Sequence, residues 1–245
     1  MTRRTALVTG ASRGIGAATA KLLGASGFRV VLNYRDKARR AEQVARTITT
    51  AGGAAIAVQA DLTGPAAVAA MMATVGEEFG RLDLLVLNAS GGMERDADAG
   101  YAMRLNRDAQ LDVLERALPL MPSGSRVVFV TSHLAHFHDR ARHIGPYEPV
   151  AVSKRAGEDA LRARIPELTS RGIGFVVVSG DIIEGTATVL LLDRASPGLL
   201  AERRRQVGTL PTVAGFAEQV AAAGTAELPP GHTVYVGGAD YFAGR

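Results

Sequence analysis

Leu84-Leu85-Val86-Leu87 and Val127-Val128-Phe129-Val130 each set four apolar residues in an unbroken row. Successive side chains of a strand face opposite sides, so such a row must be covered on both faces, as a parallel strand between two layers of helix is. The pattern recurs along the chain. Residues 5–8, 28–34, 54–59, 82–87, 126–130, 174–178 and 233–236 read as seven strands, and 16–26, 38–51, 65–79, 102–118, 150–169 and 212–222 as helices between them. Each crossover is long enough for parallel pairing. The expected fold class is therefore α/β, a doubly wound seven-stranded parallel sheet flanked by helices. No linker or internal repeat divides the 245 residues, and 47% apolar content suits one sizeable domain over 1–245.

Composition removes several chemistries. With no cysteine there is no disulfide framework, thiolate zinc site, iron–sulfur cluster or cysteine nucleophile. No apolar run approaches the roughly 18 to 20 residues of a membrane helix, and Met1-Thr2-Arg3-Arg4 is not followed by a signal-peptide core, so a cytoplasmic protein without a membrane partner is expected. The net charge is +4, and all but three of the 28 basic residues are arginine, the exceptions being Lys21, Lys37 and Lys154. Acidic residues are interspersed throughout, so the skew reads as the bias of a GC-rich genome and no nucleic-acid partner is expected.

The first strand runs into Thr9-Gly10-Ala11-Ser12-Arg13-Gly14-Ile15-Gly16 and then an alanine-rich helix. Glycines at a strand-to-helix turn let the backbone bend sharply and approach a pyrophosphate at the helix N-terminus, which makes this a dinucleotide-binding, Rossmann-type arrangement. Gly10, Ser12, Arg13, Gly14, Ile15 and Gly16 are the candidate phosphate-binding residues. The second strand ends in Leu32-Asn33-Tyr34-Arg35, where the adenosine ribose is expected, so Asn33, Tyr34 and Arg35 join the candidate cofactor site. A carboxylate there would bind a 2′-hydroxyl, whereas a guanidinium pairs with a 2′-phosphate. Arg13 and Arg35 favour NADPH, although Asp36 next door is the kind of residue that serves NADH.

The spacing Thr-Gly-x-x-x-Gly-x-Gly resembles the short-chain dehydrogenase/reductase family, and the likeness continues in order along nearly the whole chain. Ala60-Asp61-Leu62 is similar to the family's adenine-binding segment, and Leu87-Asn88-Ala89-Ser90-Gly91 to its Asn-Asn-Ala-Gly stretch, with Ser90 at the usual glycine. Leu105-Asn106 resembles the tetrad asparagine on the fourth helix. Val128-Phe129-Val130-Thr131-Ser132 resembles the strand end that carries the catalytic serine, and Gly231-His232-Thr233-Val234-Tyr235-Val236-Gly237-Gly238 the last strand. The resemblance implies cofactor contacts at Asp61, Leu62, Asn88, Ala89, Ser90, Thr131 and Lys154. It further implies catalytic roles for Ser132, Lys154 and Asn106 in carbonyl reduction, and a dimer or tetramer.

One position breaks the pattern. Family members carry a tyrosine four residues before the lysine, on the same helical face, where the cation lowers the phenol pKa. Here that residue is Val150. Three proton sources stay open. Tyr147 is seven residues from Lys154, about 10.5 Å along an unbroken helix. Pro149 is expected to push Glu148 out of helical conformation, leaving Tyr147 on a preceding loop. His133, His136, His138 and His143 lie in a segment longer than the family's, with imidazoles that titrate near neutrality and could fall over the site. Water or an acidic hydroxyl beside the substrate ketone is the third source. The spacing of His136, His138 and Asp139 fits no specific metal site, and no metal is expected.

These departures resemble the ketoreductases of angucyclinone antibiotic biosynthesis. That likeness implies NADPH-dependent reduction of a ketone on a small hydrophobic polycyclic aromatic polyketide. The apolar stretch within 186–211 reads as a substrate lid, with a dimer contact or ordinary helix core as the alternatives. A chain that has lost its general acid is also what a non-catalytic NADP(H)-binding sensor or scaffold would be, and a dehydratase or epimerase shares the same fold. Retention of Ser132, Lys154 and Asn106 favours an enzyme.

Overall fold

The computed structural model describes residues 3–94, 97–140 and 144–242. Seven strands form one all-parallel sheet: β1 (Thr5–Val8), β2 (Arg29–Tyr34), β3 (Ala54–Gln59), β4 (Leu84–Leu87), β5 (Arg126–Ser132), β6 (Gly174–Gly180) and β7 (Thr233–Val236). Their order is β3-β2-β1-β4-β5-β6-β7, so the winding reverses between β1 and β4. In open sheets of this kind a ligand crevice opens there, beyond the strands' carboxyl ends.

The unbroken apolar rows are explained by two cores. Leu85, Leu87, Val127 and Phe129 belong to one, together with Leu7, Val31, Phe175 and Val177. Leu84, Val86, Val128 and Val130 belong to the other, on the opposite face. The first core is covered by α3 (Pro65–Phe79), α5 (Ala109–Ala117) and α7 (Glu148–Arg162), through Met71, Val75, Val113, Leu114 and Leu161. The second is covered by α1 (Gly14–Ala25), α2 (Ala38–Thr50) and α11 (Val213–Ala223), through Leu23, Val44, Ile48, Phe216 and Val220. Each such side chain contributes roughly 1.5 to 3 kcal/mol when fully buried.

Four local differences from the expected elements have identifiable causes. The helix expected over 102–118 is interrupted: a short α4 (Tyr101–Met103) leads into a π-helical turn at Arg104–Asp108, and α5 follows. The helix expected over 150–169 starts earlier, at Glu148, and stops at Arg162, with α8 (Ile165–Ser170) separate. Pro166 within an unbroken helix would clash with the carbonyl of Arg162, and it sits comfortably in the first turn of α8. Glu148 is helical (φ −53°, ψ −47°), contrary to the expected effect of Pro149, so α7 extends to the residue after Tyr147. β5 and β6 run two residues past their expected ends and pair Thr131 with Ser179 and Ser132 with Gly180, which carries Ser132 to the sheet's rim.

Between the expected elements lie α6 (His133–His136), a 3₁₀ turn at Gly145–Tyr147, α9 (Ala187–Ala195) and α10 (Leu199–Val207). No described helix is long and apolar enough to cross a membrane.

Candidate active site

A cleft of about 560 Å³ opens over the carboxyl ends of the strands. Every sequence-predicted cofactor residue lines it, as do Ser132 and Tyr147, whereas Asn106 stands behind its wall. The β1–α1 loop forms one end. Gly10 and Gly14 have φ of +64° and +56°, conformations that side chains with a Cβ rarely adopt. A Cβ on Gly16 would lie 2.6 Å from both the Asn88 Nδ2 and the Gly10 carbonyl, so the loop is packed as tightly as a backbone allows. Two side chains knit it to the sheet. Asn88 Nδ2 donates to the Thr9 carbonyl at 2.9 Å, while Thr9 Oγ1 accepts the N–H groups of Asn88 and Ala89 at 2.9 and 3.0 Å. Asn33 is not free to meet a ligand with its side chain, which accepts from the Gly10 N–H at 3.2 Å and donates to the Ala60 carbonyl at 3.1 Å. It braces the loop. Asp61 is likewise engaged, accepting the N–H and hydroxyl of Thr63 at 2.9 and 2.8 Å.

The N-cap of α1, Arg13, offers no side-chain acceptor, and no acidic residue occupies the first turn. The first amides of a twelve-residue helix are thus left to an anion, with Arg13 exposed beside them. Arg35 lies at the end of β2, its Nε paired with Asp36 at 2.7 Å and Nη1 donating to the Tyr101 hydroxyl. At the other end, Thr131 Oγ1 is buried with no hydrogen-bond partner among the described residues. Amides at a helix start, two guanidinium groups and an orphaned buried hydroxyl along one cleft are a donor set that fits a phosphorylated dinucleotide.

Ser132 ends β5 and caps α6, accepting the Ala135 N–H at 3.2 Å. Its Oγ also lies 3.0 Å from the Tyr147 hydroxyl. The 3₁₀ turn that precedes α7 brings the phenol to the serine. A serine hydroxyl has one hydrogen and two lone pairs. Either hydroxyl of the pair can donate; when Tyr147 O–H does, it and the Ala135 N–H fill both Ser132 lone pairs and the Ser132 hydrogen is left for the cleft. Burial pushes the Tyr147 phenol above its ordinary value, opposed by the Ser132 hydrogen bond.

Lys154 is 6% exposed, and its Nζ donates to the Val130 carbonyl at 3.0 Å. Burial lowers its pKa to about 8, against the pull of Glu158 one turn along. Val150 is buried among Tyr147, Ala135, Ala151 and Leu192 and fills space a larger residue would have to clear. Asn106, 1% exposed, sits in the π-helical turn; its Nδ2 donates to the Gly91 carbonyl at 2.8 Å and Ser153 Oγ at 2.9 Å, and its Oδ1 accepts the Gly91 N–H at 3.2 Å. It clamps the β4 loop to α7.

The described histidines turn away from the cleft, which corrects the expectation that this segment covers it. His133 is fully buried, its Nδ1 2.8 Å from Ser179 Oγ and its Nε2 donating to the Gly237 carbonyl at 2.9 Å. Burial lowers its pKa, so it is a neutral structural imidazole. His136 bonds the buried Glu158 carboxylate at 2.8 Å and the Tyr235 hydroxyl at 3.0 Å, and His138 bonds Glu148 at 2.8 Å. His143 lies outside the described residues.

Leu134, Ile182 and Ile183 escaped the sequence analysis. With Val189, Leu190 and Leu192 of the apolar stretch expected as a lid they make one wall apolar, and Thr186 caps α9 by accepting the Val189 N–H at 3.3 Å. Asp181 on the rim is held by Arg203 of α10 at 2.8 Å, and Arg203 also reaches Asp240 at 2.7 Å. Tyr101 and Glu94 complete the opposite side. A Thr-x-x spacing before an apolar run signals the Thr186 cap; nothing local signals Asp181.

Residues 4–195 match the short chain dehydrogenase family. The chain belongs to that family. This short chain dehydrogenase is 31% identical to a double mutant of a Serratia marcescens short-chain dehydrogenase/reductase, with 97% of this chain and 98% of that one superposing at a TM-score of 0.83. It is 30% identical to the angucycline C-6 ketoreductase LanV, a structure solved with bound NADP, over 97% and 95% of the two chains at a TM-score of 0.82. Over 146 residues it is 38% identical to the versicolorin reductase stcU of Emericella nidulans, covering 57% of this chain and 55% of that protein. The match to that curated relative thus spans about half of its length.

Proposed function

We propose that this short chain dehydrogenase is an NADPH-dependent ketoreductase acting on a ketone of a polycyclic aromatic, angucyclinone-like polyketide. The observation that carries the proposal is the Ser132–Tyr147 pair, two hydroxyls 3.0 Å apart in the same cleft as a glycine-rich anion loop. Likeness to an angucycline ketoreductase and to a versicolorin reductase supports the substrate class. The apolar wall formed by α9, where Leu190 is 54% exposed and lines the cleft, suits a flat hydrophobic ring system, and residues 186–211 act as its lid.

NADPH, when bound, would supply the hydride. The chain's own residues do the rest. The α1 amides, Arg13 and Arg35 would hold its phosphates, and Lys154, a compact ammonium, would hold the nicotinamide ribose hydroxyls. Ser132 donates to the carbonyl oxygen and supports the negative charge that grows there, which is worth most in a site closed to water. Tyr147 is a positioning residue that fixes the serine hydrogen's direction. Asn106 holds Gly91 and Ser153, and through them the cleft wall. Val150 has no proton to give, and the Tyr147 hydroxyl is engaged with Ser132, so the alkoxide takes its proton from a hydroxyl beside the ketone on the substrate, or from water.

NADPH oxidation with a panel of polycyclic aromatic ketones tests the proposal. Turnover is expected, and methylating the neighbouring hydroxyl should slow it by about 100-fold or more, the usual worth of a positioned acid. Tight NADPH binding with no reduction across the panel would favour a sensor, and equal rates with the methylated ketone would place the proton elsewhere.

A further inference from the structure

Arg35 and Tyr101 are 66 positions apart and meet across the cleft, a contact that no feature of the glycine-rich motif requires. Tyr101 opens α4 and is seated closely: a Cβ on Gly91 would lie 3.2 Å from its Cε1 and 3.0 Å from Leu105 Cδ2, so its ring rests on bare backbone. From there its hydroxyl accepts Arg35 Nη1, and the guanidinium carbon stands 5.9 Å from the ring centroid. The backbone of Arg35 is fixed as well, its carbonyl accepting Gln59 Nε2 at 2.8 Å. The other restraint on the guanidinium is Asp36, which takes Nε at 2.7 Å.

These restraints have opposite consequences for an incoming anion. Asp36 neutralises the arginine and, left as the sole partner, would draw the guanidinium toward its own carboxylate, which repels a phosphate. The tyrosine hydroxyl carries no charge and holds the Nη end over the cleft. Of the five N–H donors on a guanidinium, Nε and one on Nη1 are in use, which leaves three for a ligand without breaking either contact. A guanidinium already aimed costs less to order when a dianion arrives.

We propose that Tyr101 is a specificity-determining residue that presents Arg35 to the 2′-phosphate of the cofactor and so sets the preference for NADPH over NADH. The proposal rests on the NADPH-dependent function above. Tyr101 acts on the phosphate through Arg35, not by covering the adenine.

Titrating the purified full chain with NADPH and NADH by nicotinamide fluorescence tests this without any ketone. Tyr101→Phe keeps the ring on Gly91 and removes only the acceptor. It should weaken NADPH binding about threefold to tenfold, the cost of ordering one long side chain on binding, and leave NADH unchanged. Arg35→Ala should remove the preference, and Tyr101→Phe added to it should change NADPH affinity no further. Equal weakening for both cofactors would make Tyr101 an adenine wall, and tighter NADPH binding would make its hydroxyl a competitor; either overturns the proposal. Wild type that prefers NADH or binds neither would instead overturn the NADPH assignment itself, which the Tyr101→Phe comparison cannot do.

Discussion

Gly157 in α7 faces the π-helical turn at such close range that an ideal Cβ there would lie 2.1 Å from the Asn106 carbonyl oxygen, 3.1 Å from its carbonyl carbon and 3.4 Å from Arg107 Cα. An ordinary carbon-to-oxygen approach is about 3.3 Å, so Gly157→Ala is short by roughly 1.2 Å. The obstacle is backbone on both sides, with no rotamer to turn away, and the two segments must part. Overpacking of this kind costs about 1 to 3 kcal/mol and at times more. Alanine returns about 1 kcal/mol of helix propensity, and clashes without a side-chain escape belong at the upper end, so a net loss of about 2 kcal/mol is expected. For a chain of this length that is a fall in Tm of roughly 4 to 8 °C. Gly215→Ala is the control: also helical, with its Cβ 3.5 Å from Thr212 Oγ1, it should be neutral or stabilising by up to about 1 kcal/mol. Urea and thermal unfolding followed by circular dichroism measure both. If Gly157→Ala stays within about 0.5 kcal/mol of wild type, the contact is not the constraint described. The same substitution should lower kcat, since Lys154 is three residues away on α7 and Asn106 is itself displaced.

Ser132→Ala should reduce kcat by about 100- to 1,000-fold, as loss of an oxyanion donor does, while Tyr147→Phe, which only frees the serine to rotate, should cost about tenfold. Steady-state kinetics that put Tyr147→Phe level with Ser132→Ala would make the phenol the proton donor. For Lys154, the native group sits near 8 and the free one at 10.5. Below about pH 8 both states hold the proton and the native state bears the full cost of the buried ammonium; between these values only the unfolded chain holds it, so stability rises with pH. Urea titrations should therefore show Lys154→Met more stable than wild type near neutrality, with the gap narrowing toward pH 10; a constant gap would contradict the buried charge. Arg203→Ala leaves Asp181 buried and unpaired, and should cost about 3 to 5 kcal/mol by chemical denaturation; a loss under about 1 kcal/mol would show the carboxylate re-solvated.

Strand positions were legible because burial on both faces writes unbroken apolar rows, and β1, β3 and β7 fall at their expected residues. The helices expected over 16–26, 38–51, 65–79 and 212–222 were legible to within two residues because one buried face writes an apolar stripe, whereas those over 102–118 and 150–169 are broken. The π-helical turn was not: it is set by Asn106 bonding across 15 and 47 positions to Gly91 and Ser153, and no local propensity encodes a contact at that range. Tyr147 shows the limit for the site. Its distance from Lys154 along a helix axis follows from the sequence, but its placement depends on a 3₁₀ turn packed against α7 and α9, which the sequence reads as a loop. The histidines differ from their expected place for the opposite reason, since titratable side chains close together in sequence say nothing of which face of α6 they leave by. His133 and His136 leave on the β6–β7 side, toward Ser179 and Tyr235.

The pairing of Arg203 with Asp240 has a practical side for anyone producing this protein. A residue of the 3₁₀ turn Ala239–Phe242 is a direct partner of the arginine that also holds Asp181 at the cleft. A purification tag or reporter fused just behind that turn would therefore pull on α10 and the rim together, and its effect would be mistaken for weak substrate binding. Tags belong ahead of β1, whose first residue is tied by Asp83 at the far end of the sheet from the cleft.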